Sequence, residues 1–353
     1  MGFVITILML NVIIFVHEFG HLIFAKLAKI GVLEFSLGMG PKLFGLKFKS
    51  TDYNFRLLPV GGFVKLAGMD ESDDKIDEKY FFQNASFLNR FNTLFAGSFF
   101  NLILGFFIFF SILLFVGKPT ITNSIESVLE NSPAYTQGLL AGDKLIAIND
   151  TKIINVDTDF IKKINTSSEE LKLQLLRGNE LFDVLITPYF DEENQINRLG
   201  VQLRIERLQL GVFNSFLESF TMTKYSIYQV FVNLKMLVSG SVNLKELSGP
   251  VGIVQFASSQ FEHNVTQFFS VMAFISIMLG VINLFPIPVL DGGHIVFLII
   301  EMILKRPLPS KVLIIINNIF VLSLLLLMGF IMFNDIFYWS DRTDLIEEIL
   351  NKW

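Results

Sequence analysis

Residues 2–28 read GFVITILMLNVIIFVHEFGHLIFAKLA, an apolar stretch with two histidines and a glutamate near its end. Its length exceeds the ~20 residues that a helix needs to cross a bilayer. A secretory signal peptide would begin with a basic region and have a purely apolar centre. Here no Lys or Arg precedes Lys26, and His17, Glu18 and His21 lie inside the stretch. We therefore expect a transmembrane helix rather than a signal peptide.

The motif HEFGH places His17 and His21 four residues apart, so on a helix both imidazoles lie on one face and can bind one metal ion. The alternative is a chance match. Two of the only four histidines in the chain fall here, however. Placing charged groups at membrane depth costs roughly 2.5–3.5 kcal/mol each, and such clusters are functional sites by default.

The sequence contains no cysteine, which excludes disulfides and thiolate metal sites. A metal ion must therefore be held by His and carboxylate ligands, and zinc with one open position is the hydrolytic metal that suits them. Glu18, next to the first ligand, can take a proton from a water molecule and pass it to a leaving amine.

The composition indicates that lipid surrounds part of the chain. Of 353 residues, 52% are hydrophobic and 17% are charged, against about 25% charged in soluble domains. The net charge of −5 does not suit a nucleic-acid binder. We expect a polytopic α-helical membrane protein with about four transmembrane helices. The expected segments are 1–30 (first span), 31–90 (β-rich loop), 91–117 (second span), 118–205 (small domain), 206–264 (amphipathic helix and linker), 265–304 (third span region) and 305–353 (loop, fourth span and tail).

The basic residues predict the orientation. Ten of them lie between the first two spans: Lys26, Lys29, Lys42, Lys47, Lys49, Arg56, Lys65, Lys75, Lys79 and Arg90. Three more, Lys305, Arg306 and Lys311, lie between the third and fourth spans. By the positive-inside rule both loops are cytoplasmic, so both termini and the small domain are extracytoplasmic.

The stretch NLFPIPVLDGGH, Asn283 to His294, supplies a candidate third metal ligand. Pro286 and Pro288 prevent a continuous helix at membrane depth, where irregular backbone is tolerated only if it is buried or lines a wet cavity. Asp291 follows as a candidate ligand; alternatively it caps a helix that begins at Gly292. His294 is a rival ligand or an outer hydrogen-bond donor.

Three further polar residues have weaker claims. His263, between a glutamate and an asparagine, reads as a solvated loop residue. Asn283 and Asn101 are amides in apolar segments that could hydrogen-bond substrate or an oxyanion. For Asn101 we favour a helix–helix hydrogen bond instead.

The regions between the spans have their own patterns. Short runs at Leu46–Phe48 and Phe63–Leu66 read as strands of a membrane-associated hairpin or sheet that could offer an edge to an extended peptide. Residues 213–238 form an amphipathic helix that lies on the membrane or packs against the spans. ENSPAYTQGLLAGDKLIAIND, Glu130 to Asp150, opens a helix at Ser132 and turns at Gly142 into a strand. This resembles an α/β PDZ domain, which either binds peptides by strand addition or serves as a size filter.

Taken in order, HEFGH, the PDZ-like segment and NLFPIPVLDGG resemble the site-2 protease family, closest to the bacterial regulator of sigma-E protease branch. GMGPKLF at Gly38–Phe44, LPVGGFVKLAG at Leu58–Gly68 and LSGPVGI at Leu247–Ile253 match as well. Two features depart from that family. Ser98 stands in AGSFFN where the family often has proline, and only one PDZ-like domain fits.

The resemblance implies an intramembrane zinc metalloprotease of the bacterial cytoplasmic membrane. His17, His21 and Asp291 would ligate zinc, Glu18 would be the catalytic acid/base, and Asn283 would help to hold substrate. Substrates would be single-span membrane proteins of the anti-sigma factor or remnant signal peptide type, cleaved in regulated intramembrane proteolysis. A transporter is the competing class, but the two halves of the chain show no likeness to each other. A PDZ scaffold without catalysis would have no need of Glu18.

Overall fold

The computed structural model describes residues 1–68, 77–192, 195–240 and 249–338. Lys75, Leu247, Ser248, part of the expected linker and the expected C-terminal tail lie outside these residues. In chain order the helices are α1 (Gly2–Leu27), α2 (Phe87–Phe115), α3 (Pro133–Thr136), α4 (Lys162–Thr166), α5 (Val212–Val238), α6 (Pro250–His263), α7 (Val265–Asn283), α8 (Asp291–Leu304) and α9 (Ser310–Phe337). The strands are β1 (Val32–Phe48), β2 (Thr51–Leu66), β3 (Lys118–Val128), β4 (Lys144–Ile148), β5 (Thr151–Lys152), β6 (Leu171–Arg177), β7 (Glu180–Ile186), β8 (Tyr189–Asp191), β9 (Ile196–Arg198) and β10 (Val201–Leu208).

The chain forms two compact units. One comprises Met1–Leu114 together with the described residues from Gly211 onward, and the other comprises Phe115–Leu210. Within the described ranges, four helices are long and apolar enough to cross a membrane, namely α1, α2, α7 and α9, all in the first unit. Their number agrees with the expected four.

Two of the expected span boundaries need correction. The second span begins at Phe87 rather than at 91, because the polar turn before the apolar stretch is already helical and its Arg90 pairs with Glu301 of α8 at 2.8 Å. The region expected as 265–304 is two helices, α7 and the 14-residue α8, of which only α7 is long enough to span. The irregular turn containing Pro286 and Pro288 separates them, as the prolines predict.

The first loop folds into a sheet of four short strand segments, here called lanes, rather than into a simple two-stranded hairpin. Residues 34–37 of β1 pair with residues 62–65 on one side and with 52–55 on the other, and residues 44–48 pair with 51–55. The long strands β1 and β2 therefore bend to give four adjacent lanes, in the order 62–65, 34–37, 52–55 and 44–48, with 62–65 and 44–48 as the outer edges. Gly38 and Gly40 have φ near +83° and +82°, a conformation that permits the bend. Both predicted strand runs, Leu46–Phe48 and Phe63–Leu66, lie in the outer lanes.

The buried face of helix α5 is not its most hydrophobic face. Its buried residues are small and mostly hydroxylic, with spacings of three and four: Ser215, Ser219, Thr223, Ser226 and Val230. Its aromatic residues, such as Phe213, Phe220 and Tyr228, are more than half exposed. Phe216 makes edge contacts with Phe106 and Phe110 of α2, and Val230 packs against α7. Of the two predicted alternatives, the structure thus shows packing against the spans.

Helix α6 lies in the region expected to be an amphipathic helix and linker, and it runs antiparallel to the first half of α1. Thr6 Oγ1 lies 3.1 Å from Ser258 Oγ, and Ala257 packs with Met9 and Ile13. His263 is the last residue of α6, not a loop residue, and its Nδ1 lies 2.9 Å from the Ser259 carbonyl oxygen. His263 is exposed, as expected, but it is helical, because α6 extends to it and the break falls at the next residue, Asn264, which caps α7.

The second unit is built on a six-stranded antiparallel sheet. The strand order is β10-β3-β4-β6-β7, with β5 beside β4, and β8 and β9 form a separate hairpin. Its core contains fully buried aliphatic side chains, including Ile125, Leu145 and Leu173. Ser132 Oγ caps α3 by accepting from Tyr135 N at 3.2 Å, and β4 begins directly after the predicted turn. The helix and strand starts are thus confirmed, while the PDZ assignment remains a prediction.

Candidate metal centre

The two histidines of HEFGH lie on one face of α1 and point at a common position. His17 Nε2 and His21 Nε2 are 3.2 Å apart, and their side chains are 8% and 13% exposed. The helix positions both rings because residues four apart project from the same side. This is the arrangement predicted from the spacing.

Asp291 brings a third ligand atom from a different helix. Its Oδ2 lies 3.2 Å from His17 Nε2 and 3.4 Å from His21 Nε2. Asp291 is the first residue of α8, and the residue in the capping position is Leu290, which makes no side-chain cap. The capping alternative is therefore contradicted. Gly292 allows this approach, since a Cβ there would collide with backbone oxygens of the preceding turn.

These three atoms fit zinc. In a tetrahedral site with bonds of about 2.0–2.1 Å, neighbouring ligand atoms are separated by about 3.3–3.4 Å, and the three observed separations are 3.2, 3.2 and 3.4 Å. Asp291 Oδ2 is buried and makes no hydrogen bond of good geometry within the described part of the chain. A buried carboxylate oxygen in that state calls for a cation.

Outer contacts orient the histidine rings. His21 Nδ1 lies 2.8 Å from the backbone oxygen of Thr93, so Nδ1 carries the proton and Nε2 is free to bind metal. Asn101 is fully buried beside His17, with its amide nitrogen 3.4 Å from His17 Nδ1. The helix–helix role that we favoured for Asn101 is therefore incomplete: its backbone oxygen accepts from Ser276 at 2.8 Å, but its side chain faces a candidate ligand.

Close approach of α2 to α1 keeps the rings in place. A Cβ on Gly97 would lie 2.8 Å from His17 Cε1 and would also collide with the His21 ring. A Cβ on Gly20 would likewise collide with the backbone of Ala96. Glycines at both crossing positions let the two backbones approach, as small residues do in membrane helix pairs.

Glu18 faces an open side of this centre. It lines a cavity of about 310 Å³ together with the three candidate ligands and Phe63, Val64 and Leu66 of the outer lane of the sheet. The backbone N–H of Val64 donates to the Glu18 carboxylate. The Glu18 side chain and the edge of the sheet therefore line the same cavity.

The remaining predicted residues divide into two groups. Asn283, at the end of α7, lines the cavity, with its amide nitrogen 3.3 Å from His17 Nε2. His294 also lines it but is not one of the three clustered ligands. His263 lies on α6 and is not among the cavity-lining residues. Sequence reasoning missed Thr93, whose contribution is a backbone oxygen that no side-chain pattern signals.

Residues 5–327, nearly the whole chain, match the sequence profile of peptidase family M50. The chain belongs to peptidase family M50. It is similar over 96% of its length to 99% of a Clostridium perfringens protein named "putative zinc metalloprotease", at 33% identity. A Campylobacter jejuni protein of the same description is 33% identical over 95% of the chain and 93% of its own length. Zinc metalloprotease RasP of Bacillus licheniformis is 28% identical over 94% of the chain and 97% of its own length.

Family membership and the spans together make this M50 peptidase a multi-pass membrane zinc metalloprotease. The transporter and scaffold alternatives are thereby set aside. The matched residues include both HEFGH and Asp291, which the geometry brings together independently.

Proposed function

We propose that this M50 peptidase cleaves single-span membrane proteins within or near the bilayer, with zinc held by His17, His21 and Asp291. The observation that carries the proposal is the convergence of three ligand atoms, all within 4.8 Å of one another, from the span α1 and the broken region after α7. Glu18 of the same span faces the cavity beside them. A hydrolytic centre on a membrane-spanning helix suits a substrate that is itself in the membrane.

Each residue has a role in hydrolysis that its position supports. Bound zinc would supply Lewis acidity, which polarises the scissile carbonyl and acidifies water. Glu18 takes the proton from the attacking water and delivers it to the leaving amine nitrogen. Asn283, whose amide nitrogen lies within reach of the same centre, donates to the substrate carbonyl oxygen as negative charge develops there.

The outer lane of the sheet, residues 62–65, holds the substrate in an extended form. A helical segment shields its carbonyls in intrahelical hydrogen bonds, so cleavage requires local unwinding. Among the described residues this lane pairs only with residues 34–37, and its other side borders the cavity that contains Glu18. An unwound substrate can therefore add as a further strand.

Orientation and partners complete the proposal. By the positive-inside rule, the basic residues of the two loops favour a cytoplasmic location for the sheet at the bacterial inner membrane and an extracytoplasmic location for the unit Phe115–Leu210. That unit has a cavity of about 740 Å³ between the segment Phe160–Asn165 and strand β10, which lies at the edge of its sheet. A PDZ-like domain binds a peptide between a helix and an edge strand. Anti-sigma factors and remnant signal peptides are the substrate types that we propose.

The test is cleavage of a tagged single-span substrate by purified protein, with bound zinc quantified. Glu18→Gln should abolish cleavage while zinc stays at about one per chain, and Glu206→Gln, an exposed glutamate of β10, should change neither. If wild-type protein binds zinc but cleaves none of a panel of such substrates, the protease proposal fails and metal flux becomes the next assay.

The sheet edge has its own test. Phe63→Pro interrupts the lane beside the cavity, and Leu46→Pro interrupts the opposite outer lane. Cleavage should fall with Phe63→Pro and persist with Leu46→Pro, because only the first distorts the lane that borders the cavity. Equal cleavage by both variants would contradict strand addition.

A further inference from the structure

A cavity lined by lysines lies where α1 leaves its span. Its volume is about 1000 Å³, and it is enclosed by the end of α1, the start of β1, the turn between β1 and β2, and the segment around Tyr80. Four of its lining side chains are cations: Lys26, Lys29, Lys47 and Lys49. The chain as a whole carries a net charge of −5, so this concentration of positive charge is local.

The cations outnumber the available carboxylates. Two acidic side chains line the cavity, Asp52 and Asp77, and Asp77 is already paired with Lys79 at 2.6 Å. Lys26 Nζ contacts the Tyr53 hydroxyl at 2.5 Å. Among the described residues, Lys29, Lys47 and Lys49 make no ion pair. Among the described lining residues, three ammonium groups that make no ion pair therefore face one concavity with Asp52 as the one carboxylate not already paired.

The walls of the cavity are fixed by hydrogen bonds. Thr51 Oγ1, fully buried, donates to the Val32 backbone oxygen at 2.8 Å and ties the turn to the start of β1. Gly31 N donates to the Tyr80 backbone oxygen at 2.8 Å and ties the segment around Tyr80 to the residues just before β1. The cavity is thus preformed, which lowers the entropic cost of binding a ligand.

Apolar side chains next to the cavity indicate an amphiphilic ligand. Leu27 is 72% exposed at the end of the span, and Leu46 and Phe48 beside Lys47 are 79% and 62% exposed. Because α1 is long and apolar enough to span, its last turn lies at the level where lipid headgroups begin. Cations at that level attract anionic headgroups, and the neighbouring apolar side chains suit acyl chains.

We propose that this cavity binds the phosphodiester headgroup of an anionic phospholipid. The site is separate from the metal centre, but its floor is the end of the helix that carries His21, five residues before Lys26. A bound lipid would hold the end of α1, β1 and the turn of the sheet together. The proposal does not depend on which substrates the peptidase cleaves.

The experiment uses purified full-length protein in detergent, titrated with short-chain phosphatidylglycerol or phosphatidylcholine, with retained lipid counted by native mass spectrometry. Phosphatidylglycerol should be retained and phosphatidylcholine should not. The test variant is Lys29→Asn, Lys47→Gln, Lys49→Asn. Asparagine is chosen because Lys29 and Lys49 have φ of +59° and +54°, a conformation that asparagine tolerates. Retention by this variant should fall about tenfold or more.

The control variant removes the same charge elsewhere. Lys144→Gln, Lys152→Gln, Lys162→Gln alters three exposed lysines of the other unit and should retain lipid as the wild type does. Glycerol phosphate distinguishes a lipid from a soluble phosphate: effective competition by glycerol phosphate would overturn the lipid assignment. Equal retention of the two lipids, or unchanged retention by the test variant, would overturn the proposal. Should the triple variant fail to fold, Lys47→Gln alone, at an exposed strand position, should still weaken retention about fivefold.

Discussion

Asn101 offers a direct test of how the metal centre is oriented. His17 can present the Nε2 lone pair to zinc only if Nδ1 carries the proton, and that proton needs an acceptor. The Asn101 amide nitrogen lies 3.4 Å from Nδ1, and its Oδ1 is buried with no hydrogen-bond partner among the residues that the structure describes. Rotating the side-chain amide so that its oxygen and nitrogen exchange places brings Oδ1 to the Nδ1 proton and gives both groups a hydrogen bond. We therefore expect Asn101 to act as a positioning residue for His17.

Replacing Asn101 by leucine removes this acceptor at nearly constant volume. Loss of such an outer partner typically costs 10–100-fold in metal affinity, equivalent to about 1.4–2.7 kcal/mol. Folding should be little affected, because the hydrogen bond from Ser276 goes to the backbone oxygen of Asn101, which leucine retains. Zinc affinity measured by chelator competition, with a thermal unfolding curve for each variant, gives both quantities.

Two further variants make the measurement specific. Asn101→Asp keeps an acceptor and should hold zinc as tightly as the wild type or more so. Ser98→Ala, which alters another fully buried side chain one turn away on α2, should leave zinc affinity unchanged. The reasoning is refuted if Asn101→Leu binds zinc within about threefold of the wild type, since a partner that orients His17 must contribute more.

Three other features of the structure give predictions of their own. Gly97→Ala pushes a methyl group against both ligand rings, and this overpacking should weaken zinc binding by roughly 1–3 kcal/mol. Gly105→Ala is equally crowded, but against α7. It should lower thermal stability and leave the zinc affinity measured by chelator competition unchanged. Glu301→Gln removes the ion pair that joins α8 to α2 and should lower the free energy of unfolding by roughly 1–3 kcal/mol, with zinc content unchanged. Hydrogen bonds from Arg177 hold the pKa of Asp143 below its ordinary value. The stabilisation by this carboxylate is therefore full above about pH 4 and lost as pH falls through the lowered pKa, so hydrogen exchange in β4 and β6 should show acid-dependent opening in the wild type but not in Asp143→Asn.

The ligand residues could be predicted because each is marked by local chemistry. HEFGH fixes two ligands through helical spacing alone. Asp291 required a second step of reasoning. The chain has no cysteine, so a third ligand must be a His or a carboxylate, and Asp291 is the carboxylate next to the helix break. The outer partners were harder to predict. Thr93 contributes a backbone atom, and Asn101 differs from any helix-packing amide only by the residue that it faces.

The boundaries that the sequence predicted less well are those where polar contacts extend or interrupt an apolar pattern. Helix α2 begins before its apolar stretch because Arg90 has a partner on α8. Helix α6 is held at its start by Asp335 at the end of α9, whose carboxylate accepts from the backbone N–H groups of Gly249, Val251 and Gly252 at 2.9–3.1 Å. A cap supplied 83–86 residues away in sequence has no local signature.

Helix α5 shows why hydrophobic periodicity identifies helices here without identifying their inner face. In water the apolar stripe must turn inward, because burial of apolar surface drives folding. Lipid removes that preference, since acyl chains are as apolar as leucine, and close packing of small residues decides instead. The stripe that includes Ser215, Ser219 and Thr223 is buried, and the phenylalanines of the same helix are exposed. The same rule accounts for Gly97 against the histidine rings: the face that carries the chemistry of this protein is marked by its smallest residues rather than by its most hydrophobic ones.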